Sequence, residues 1–170
     1  GAKAEEMADL GEVTRIAQKA ANSCRSIGMA MTPCTVPQAG KPTFEIGDNE
    51  MEMGMGIHGE PGVWRGEMRT ADEVAAELMD RLLEDKSVAN GDRVSILVNS
   101  LGATPPEELY ILYRYAETRL KEAGVSIVMP LVGRYATSME MTGCSMTLCH
   151  LDDELVKLLE APADCAFWKV

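Results

Sequence analysis

The sequence predicts an α/β fold, in which a single domain has a mixed β-sheet flanked by helices. Its 170 residues, of which 46% are hydrophobic and 25% charged, are enough for one compact domain with a full core. Hydrophobic residues recur with helical spacing in some segments and alternate in others, which is typical of helices and strands. A strand–helix–strand unit over 93–132 predicts a crossover, and hence two parallel neighbouring strands.

Four elements are predicted in the first third of the chain. Helical periodicity indicates a helix over 4–22, and the glycines and prolines over 28–41 indicate a loop. A short strand is expected over 43–47. Residues 50–58 alternate with period two. We interpret them as one strand, with Met51, Met53, Met55 and Ile57 on a buried face and a second, uncovered face.

The pattern Thr-x-x-Glu, a capping box, marks two helix starts further along. The first, at Thr70, predicts a helix over 71–85. The second, at Thr104, predicts a helix over 105–123, with proline at its first position and glycine directly after its end. Both helices therefore have a start signal in the sequence that does not depend on periodicity.

The remaining elements alternate between strand and helix. Mostly apolar runs predict strands over 93–99, 125–132 and 143–150. Asp152 is placed to cap a last helix over 153–160. No internal repeat, linker or low-complexity segment interrupts this order, which supports one domain.

The balance of charge excludes several classes of partner. Sixteen basic and 27 acidic residues give a net charge of −11 and a pI near 4.6. Such a charge repels phosphate backbones and anionic membrane surfaces, so neither nucleic acid nor a membrane is an expected partner. No apolar run approaches the ~18 residues that a membrane span needs.

The cysteines indicate a reducing compartment. There are five, an odd number, and no two have the Cys-x-x-Cys spacing. This argues against both a disulfide framework and a zinc site. Without a signal-peptide pattern, the expected location is the cytoplasm.

The uncovered face of the strand over 50–58 carries the most interesting residues. Gly54 and Gly56 leave the backbone bare beside His58, where a ligand can approach closely. His58 is either a functional group or a half-exposed histidine at a strand end. Glu60 either orients an imidazole or belongs to a solvated charged face, whereas Glu50 and Glu52 are expected to form such a face.

The glycines at 54, 56 and 59 also match the dinucleotide-binding fingerprint. That fingerprint requires a helix to begin at the glycines, so that the helix N-terminus can hold a pyrophosphate. Here Pro61 comes directly afterwards, and no helical pattern begins before about residue 71. Nucleotide binding through this motif is therefore not expected.

Residues 54–62 read Gly-Met-Gly-Ile-His-Gly-Glu-Pro-Gly, and this stretch resembles a motif of the dihydroxyacetone kinase substrate-binding subunit. Further stretches resemble the same family, in the same order along the chain: 26–30, 34–37, 40–45, 99–104, 107–109 and 133–143. Together they cover nearly the whole chain.

The resemblance implies a covalent role for His58. In that family the matching histidine is catalytic: it attacks the C2 ketone of dihydroxyacetone and forms a hemiaminal that holds the triose while a terminal hydroxyl is phosphorylated. Gly54, Gly56 and Glu60 are then expected to bind substrate together with His58. The resemblance implies no metal or cofactor in this chain. ATP or ADP with magnesium is expected on a partner subunit or domain. The phosphoryl donor is either ATP or the phosphotransferase system, which would rephosphorylate that partner.

The resemblance extends only to the C-terminal half of the family's dihydroxyacetone-binding domain, which is the expected identity of residues 1–170. Expected partners are the N-terminal half of the same subunit, a nucleotide-binding kinase subunit or domain, and a second copy in a homodimer. This half alone is expected to be inactive as a kinase. Two alternatives stay open: a non-catalytic dihydroxyacetone-binding regulator, and a kinase subunit for a larger ketose such as erythrulose.

Overall fold

A computed structural model describes residues 1–57, 60–166 and 168–170 of the chain. The strands are β1 (Cys24–Ala30), β2 (Glu50–Met53), β3 (Trp64–Glu67), β4 (Arg93–Ser100), β5 (Ser126–Gly133) and β6 (Gly143–Leu151). The helices are α1 (Ala2–Glu5), α2 (Leu10–Ser23), α3 (Ala71–Asp85), α4 (Pro106–Glu122) and α5 (Asp153–Leu159).

The six strands form one mixed sheet in the order β3-β2-β1-β6-β4-β5. Strands β4 and β5 are parallel and are connected through α4, whereas the other neighbours are antiparallel. Both the mixed α/β sheet and the crossover over 93–132 are therefore confirmed. Within the described part of the chain, none of the helices combines the length and the apolar character needed to cross a membrane.

The two faces of the sheet differ in what covers them. On one face, alternate residues of β1, β4 and β6 pack against α3 and α4 and form the main core, with Ile96, Met146 and Leu148 fully buried. The opposite face, which we call the polar face, carries the intervening residues of the same strands. Its members near the middle of the sheet are Ser26, Gly28, Asn99, Ser145 and Thr147.

The first predicted helix is broken. Met7 has a left-handed backbone (φ 59°), and Asp9 then caps α2 by accepting a hydrogen bond from the Glu12 amide at 2.9 Å. A left-handed residue cannot continue a right-handed helix, so α1 and α2 are separate. The prediction of one helix over 4–22 was therefore wrong.

Two strands were not predicted, and one predicted strand does not form. Residues 24–30 form β1, although the loop was predicted to begin at 28, and β3 has no counterpart among the predicted strands. Residues 43–47 form no strand. An isolated bridge between Thr35 and Pro42 closes this part of the loop instead.

The helix starts were predicted with mixed success. Thr70 and Glu73 make both hydrogen bonds of the capping box at α3, and Asp152 caps α5, as predicted. Thr104 does not cap α4, because its hydroxyl donates to the Gly143 carbonyl oxygen at 2.8 Å and accepts from the Gly143 amide at 2.9 Å. The N-cap of α4 is Pro105, and the threonine ties the loop before α4 to the start of β6.

Replacing Glu154 by Gln is expected to give a small, acid-sensitive loss of stability. Hydrogen bonds from Arg15 (2.6 Å) and Lys19 (2.5 Å) of α2 lower the pKa of this α5 carboxyl from 4.5 to about 2. A lowered pKa stabilises the fold fully above pH 4.5, and the stabilisation is lost as the pH falls towards 2. Because these pairs are solvent-exposed, the Tm at pH 7 should fall by less than about 2 °C.

Thermal melts of the wild type and Glu154→Gln at pH 7, 5 and 3 test this. The difference in Tm should be constant at the two higher pH values and smaller at pH 3. Glu160→Gln, which removes a carboxylate just after α5, is the matched control. A difference that grows on acidification would contradict the assignment.

Candidate functional site

Four connecting segments gather at one end of the sheet, beyond Ser100 of β4. They cover residues 31–49, 54–57 with 60–63, 101–105 and 134–142. We call the second of these (54–57 and 60–63) the glycine loop. A small second core holds the segments together, formed by Ala30, Cys34, Met55, Leu101 and Met141, each no more than 2% exposed.

The strand predicted over 50–58 ends early because of this second core. Met51 and Met53 face the main core as predicted, but β2 stops at Met53, and Gly54 turns the chain with φ 85°. Met55 therefore packs in the second core instead of continuing the alternation. The prediction that Met55 shares a face with Met51 and Met53 was wrong.

A cleft of about 570 Å³ opens on the polar face beside the glycine loop. Its floor is made by the middle of β1, β4 and β6, and one wall is made by residues 54–57. The lining includes Ser26, Gly28, Leu97, Asn99, Ala136, Ser145 and Thr147. Hydroxyl and amide groups on a concave surface suit a small polar ligand.

The polar groups on the floor are in contact with one another. The Ser26 and Thr147 hydroxyl oxygens are 2.7 Å apart across β1 and β6, and the Asn99 side-chain nitrogen donates to the Ser145 hydroxyl at 3.1 Å. Each hydroxyl can both donate and accept, so the floor can rearrange its protons to suit a ligand hydroxyl. The floor can therefore bind a polyol without carrying a charge.

Asn99 also fixes the segment over 134–142. Its side-chain oxygen accepts hydrogen bonds from the Tyr135 and Ala136 amides at 2.8 and 2.9 Å, and its nitrogen donates to the Ala136 carbonyl oxygen at 2.7 Å. The residue is 1% exposed. One buried side chain thus connects the floor of the cleft to its rim.

A second contact ties that segment to residues 31–49. The Glu140 carboxylate accepts hydrogen bonds from the Glu140 backbone amide and from the Thr35 amide, the latter at 2.7 Å, and both lower the pKa of Glu140. Both bonds favour the ionised side chain, which contacts residues 31–49 through Thr35. The rim of the cleft is held by polar contacts as well as by the second core.

The glycine loop is closed by Glu52, a buried carboxylate on β2. Its two oxygens accept hydrogen bonds from the Gly62 amide at 2.6 Å and from the Arg65 guanidinium at 2.8 and 2.5 Å. Arg65 also donates to the Glu45 carbonyl oxygen at 2.6 Å. We call this set of contacts the Glu52 clamp. The prediction that Glu52 is part of a solvated face was wrong, because the loop folds back over it and leaves it 5% exposed.

Three glycines allow the glycine loop to lie close to the sheet. A Cβ on Gly28 would lie 2.5 Å from the Met55 carbonyl oxygen, and one on Gly54 would lie 2.7 Å from a Val63 methyl group. At Gly56 the nearest atom would be a Glu60 carboxylate oxygen, at 2.4 Å. These distances are far below ordinary contact, so a side chain at Gly28 or Gly54 would displace the loop, whereas at Gly56 the exposed Glu60 side chain could move aside. The space beside Gly54 and Gly56 is thus used largely by this chain's own residues.

The predicted site residues are only partly described. Gly54 and Gly56 line the cleft, and Glu60 is exposed, with its carboxylate beside Gly56. His58 lies outside the described residues, as does Gly59. The binding roles of Gly54, Gly56 and Glu60 remain predictions. Among the described residues there is no group of three or more His, Cys, Asp or Glu side chains that could hold a metal ion.

Sequence reasoning missed the floor of the cleft. Ser145 and Thr147 alternate with apolar residues in a strand that was predicted correctly, so their shared face was visible in the sequence. Nothing local indicated that Asn99 and Ser26 lie beside them. That neighbourhood depends on the sheet order, in which β6 lies between β1 and β4.

Replacing Asn99 by Ala is expected to lower the free energy of unfolding by about 2 kcal/mol. The Tyr135 and Ala136 amides would lose their acceptor. Both residues are at least partly exposed, so water can replace part of the lost hydrogen bonding and limits the loss of stability. Urea unfolding of the two proteins measures the difference. Asn22→Ala on the exposed surface of α2 is the control and should change stability by less than about 0.5 kcal/mol. Equal loss in both variants would contradict the role given to Asn99.

Comparison with known proteins places this geometry in a family. A family model described as the Dak1 domain matches residues 1–167. The chain is 47% identical over 162 residues to the dihydroxyacetone-binding subunit DhaK of PTS-dependent dihydroxyacetone kinase 2 from Listeria innocua, which covers 95% of this chain and 49% of that protein. The chain thus spans about half the length of this curated relative.

Two further relatives differ in their named roles. A D-erythrulose kinase from Mycolicibacterium smegmatis is 42% identical over 168 residues, covering 99% of this chain and 29% of that protein. Among solved structures, a dihydroxyacetone kinase operon co-activator, Dha-DhaQ, has a TM-score of 0.84 at 30% identity, covering 94% of this chain and 50% of that one. The resemblance inferred from the motif over 54–62 is confirmed: the chain belongs to the Dak1 domain family.

Proposed function

We propose that this chain is the ketone-capturing part of a dihydroxyacetone kinase substrate-binding subunit, with His58 as the covalent residue. The observation that carries the proposal is the cleft beside the glycine loop, whose floor is polar but carries no charged side chain. Its floor offers hydroxyl and amide groups from Ser26, Asn99, Ser145 and Thr147, which match the two hydroxyls of a triose. The loop that borders it contains the Gly-x-Gly-Ile-His-Gly-Glu-Pro-Gly motif over 54–62.

The proposed chemistry is the addition of an imidazole to a ketone. The unprotonated ring nitrogen of neutral His58 forms a bond to C2 of dihydroxyacetone, and the carbonyl π bond breaks towards oxygen. That oxygen takes up a proton, while the other ring nitrogen loses its own. The product is a neutral hemiaminal with tetrahedral C2 and both terminal hydroxyls free. One of these is the proposed phosphoryl acceptor.

Covalent capture would also determine selectivity. Glycerol has the same carbon skeleton and hydroxyls but no carbonyl, so it cannot form the adduct. The hydroxyls on the floor of the cleft would bind both compounds, because they recognise hydroxyl groups without charge. Discrimination would therefore come from the covalent bond and not from hydrogen bonds alone.

The phosphoryl transfer is proposed to require other parts of the assembly. By its resemblance, the chain would be completed by the N-terminal half of the subunit and would work as a homodimer. A separate subunit or fused domain carrying ATP or ADP with magnesium would supply the phosphoryl group. This chain alone would capture ketone without turnover.

Two relatives support specific alternatives. The 42% identity to a D-erythrulose kinase favours a four-carbon ketose as a second candidate substrate. The structural match to an operon co-activator favours a second candidate function, a ketone-binding regulator without kinase activity. Both alternatives share the proposed capture step. They differ from the main proposal in the ketose that is captured or in the fate of the captured ketone.

A carbon-13 NMR titration tests the capture step. Dihydroxyacetone labelled at C2 is added to the chain, and a new signal in the tetrahedral-carbon region is expected beside the carbonyl signal. Labelled erythrulose in the same experiment ranks the two ketoses, and excess unlabelled glycerol should not remove the signal. If no adduct forms here or with the full-length subunit, the proposal is wrong. Turnover of the full-length subunit with a nucleotide-bearing partner separates kinase from regulator.

A further inference from the structure

Two cysteines face each other across β1 and β6, on the polar face and two residues along each strand from Ser26 and Thr147 of the cleft floor. Cys24 at the start of β1 lies directly opposite Cys149 of β6. Both are free thiols and both are partly exposed. Directly opposite residues share a face of the sheet, so the two side chains project from the same side.

The type of strand pair brings these two side chains close together. Met31 and Thr142 are the next residues after the last β1–β6 pair, Ala30 and Gly143, and continue the same register. The Met31 amide donates to the Thr142 carbonyl oxygen at 2.7 Å, so these two residues form a hydrogen-bonded pair. Hydrogen-bonded and non-hydrogen-bonded pairs alternate along antiparallel strands. Cys24 and Cys149 therefore form a non-hydrogen-bonded pair, in which Cα atoms lie about 4.5 Å apart and side chains are closest. This separation falls within the range of about 4.4 to 6.8 Å found in disulfides.

The neighbouring pair on the same face supports this geometry. Ser26 and Thr147 lie two residues further along and form the same kind of pair. Their hydroxyl oxygens are 2.7 Å apart, so side chains in this row reach each other directly. A bond between the two sulfur atoms therefore requires only rotation of the side chains.

The surroundings activate one thiol of the pair. A hydrogen bond from the Cys149 thiol lowers the pKa of Cys24 to about 7, and the positive charges of Lys86 and Arg25 contribute in the same direction. The same hydrogen bond and burial raise the pKa of Cys149. A thiolate is the nucleophilic form of cysteine, and the adjacent Arg25 favours the thiolate of Cys24, so Cys24 would be the attacking residue and Cys149 the resolving one.

The two sulfurs can be reached by a small oxidant. Cys149 lines an apolar cavity of about 240 Å³ under α2 and α5, and Cys24 is partly exposed at the end of α2. The other cysteines differ: Cys34 and Cys144 are buried, and Cys165 is exposed on the C-terminal segment. Burial raises the pKa of Cys144 to about 12, which keeps it protonated.

We propose that Cys24 and Cys149 form a redox-active dithiol, which a peroxide converts into a cross-strand disulfide. The Cys24 thiolate attacks one peroxide oxygen, the O–O bond breaks, and the released hydroxide takes up the proton that Cys24 had lost. The Cys149 sulfur then attacks the Cys24 sulfenic acid, forms the S–S bond and releases a second water. Two thiols and one hydrogen peroxide thus give one disulfide and two waters.

Mass spectrometry of the full chain tests this directly. Treatment with hydrogen peroxide at a low molar excess should lower the intact mass by about 2 Da, and dithiothreitol should restore it. Trypsin digestion without reductant should yield peptide 20–25 joined to peptide 135–157. Fragmentation of the joined peptide should place the link on Cys149 and not on Cys144, which lies in the same peptide.

Serine variants complete the test. Cys24→Ser and Cys149→Ser should each abolish the loss of about 2 Da, whereas Cys165→Ser, the control, should retain it. The proposal is overturned if the wild type shows no such loss, if the link joins other cysteines, or if Cys24→Ser still loses about 2 Da. The linkage in the wild-type digest decides the matter even if a variant does not fold.

Discussion

Replacing His58 by Ala is expected to abolish the tetrahedral adduct with dihydroxyacetone completely. No other residue is proposed to bond to the ketone, so the covalent contribution should vanish and not merely weaken. The hydroxyl and amide groups on the cleft floor remain, and they should leave weak, reversible binding that no longer distinguishes the ketone from glycerol. The measurement is the tetrahedral-carbon signal of labelled dihydroxyacetone, monitored in both proteins at equal concentration.

The chain contains a second histidine that serves as a matched control. His150 lies in β6 directly opposite Val94, towards the end of the sheet remote from the glycine loop. Burial lowers its pKa, which favours the neutral imidazole. His150→Ala should retain the adduct. An adduct that survives in His58→Ala, or is lost only in His150→Ala, would mean that another nucleophile captures the ketone.

The parts of the fold that were predicted correctly are those with local signals. The apolar runs of β4 and β5 and the long helix between them identified the crossover, and the Thr70 capping box located the start of α3. In contrast, β1 was hidden by Gly28, which is typical of a loop in isolation. The glycine is needed inside the strand because the Met55 carbonyl oxygen occupies the space of a side chain, and that contact joins distant parts of the sequence.

In the candidate site, too, features with a local sequence signal could be predicted and features set by distant contacts could not. The motif over 54–62 correctly indicated the family, and its described residues border the cleft. Alternation along β2 correctly separated Met51 and Met53 from Glu52, but alternation says nothing about what covers each face. Only the folded loop reveals that Gly62 and Arg65 return to Glu52 and bury it.

Replacing Glu52 by Ala is expected to lower both stability and ketone capture, because the Glu52 clamp holds the ends of the glycine loop together. The carboxylate side chain is 7% exposed, whereas its partner Arg65 is 41% exposed and can recover hydration. Removing one partner of a buried pair costs about 3 to 5 kcal/mol, and exposure of the arginine reduces this to about 2 to 3 kcal/mol. The Gly62 amide also loses its acceptor, so the return of the loop to β3 is no longer fixed.

Urea unfolding and the labelled-ketone titration measure the two effects separately. Glu67→Ala removes an exposed carboxylate from the same hairpin and is the matched control, with a change below about 0.5 kcal/mol and an unchanged adduct. Glu52→Gln keeps one acceptor for the Gly62 amide but removes the charge, so its stability should lie between those of the wild type and Glu52→Ala. Glu52 acts by positioning the loop, so the variants should weaken the apparent affinity for ketone while the chemical shift of the residual adduct stays the same. Full capture by Glu52→Ala despite the loss of stability would show that the clamp stabilises the fold without positioning the site.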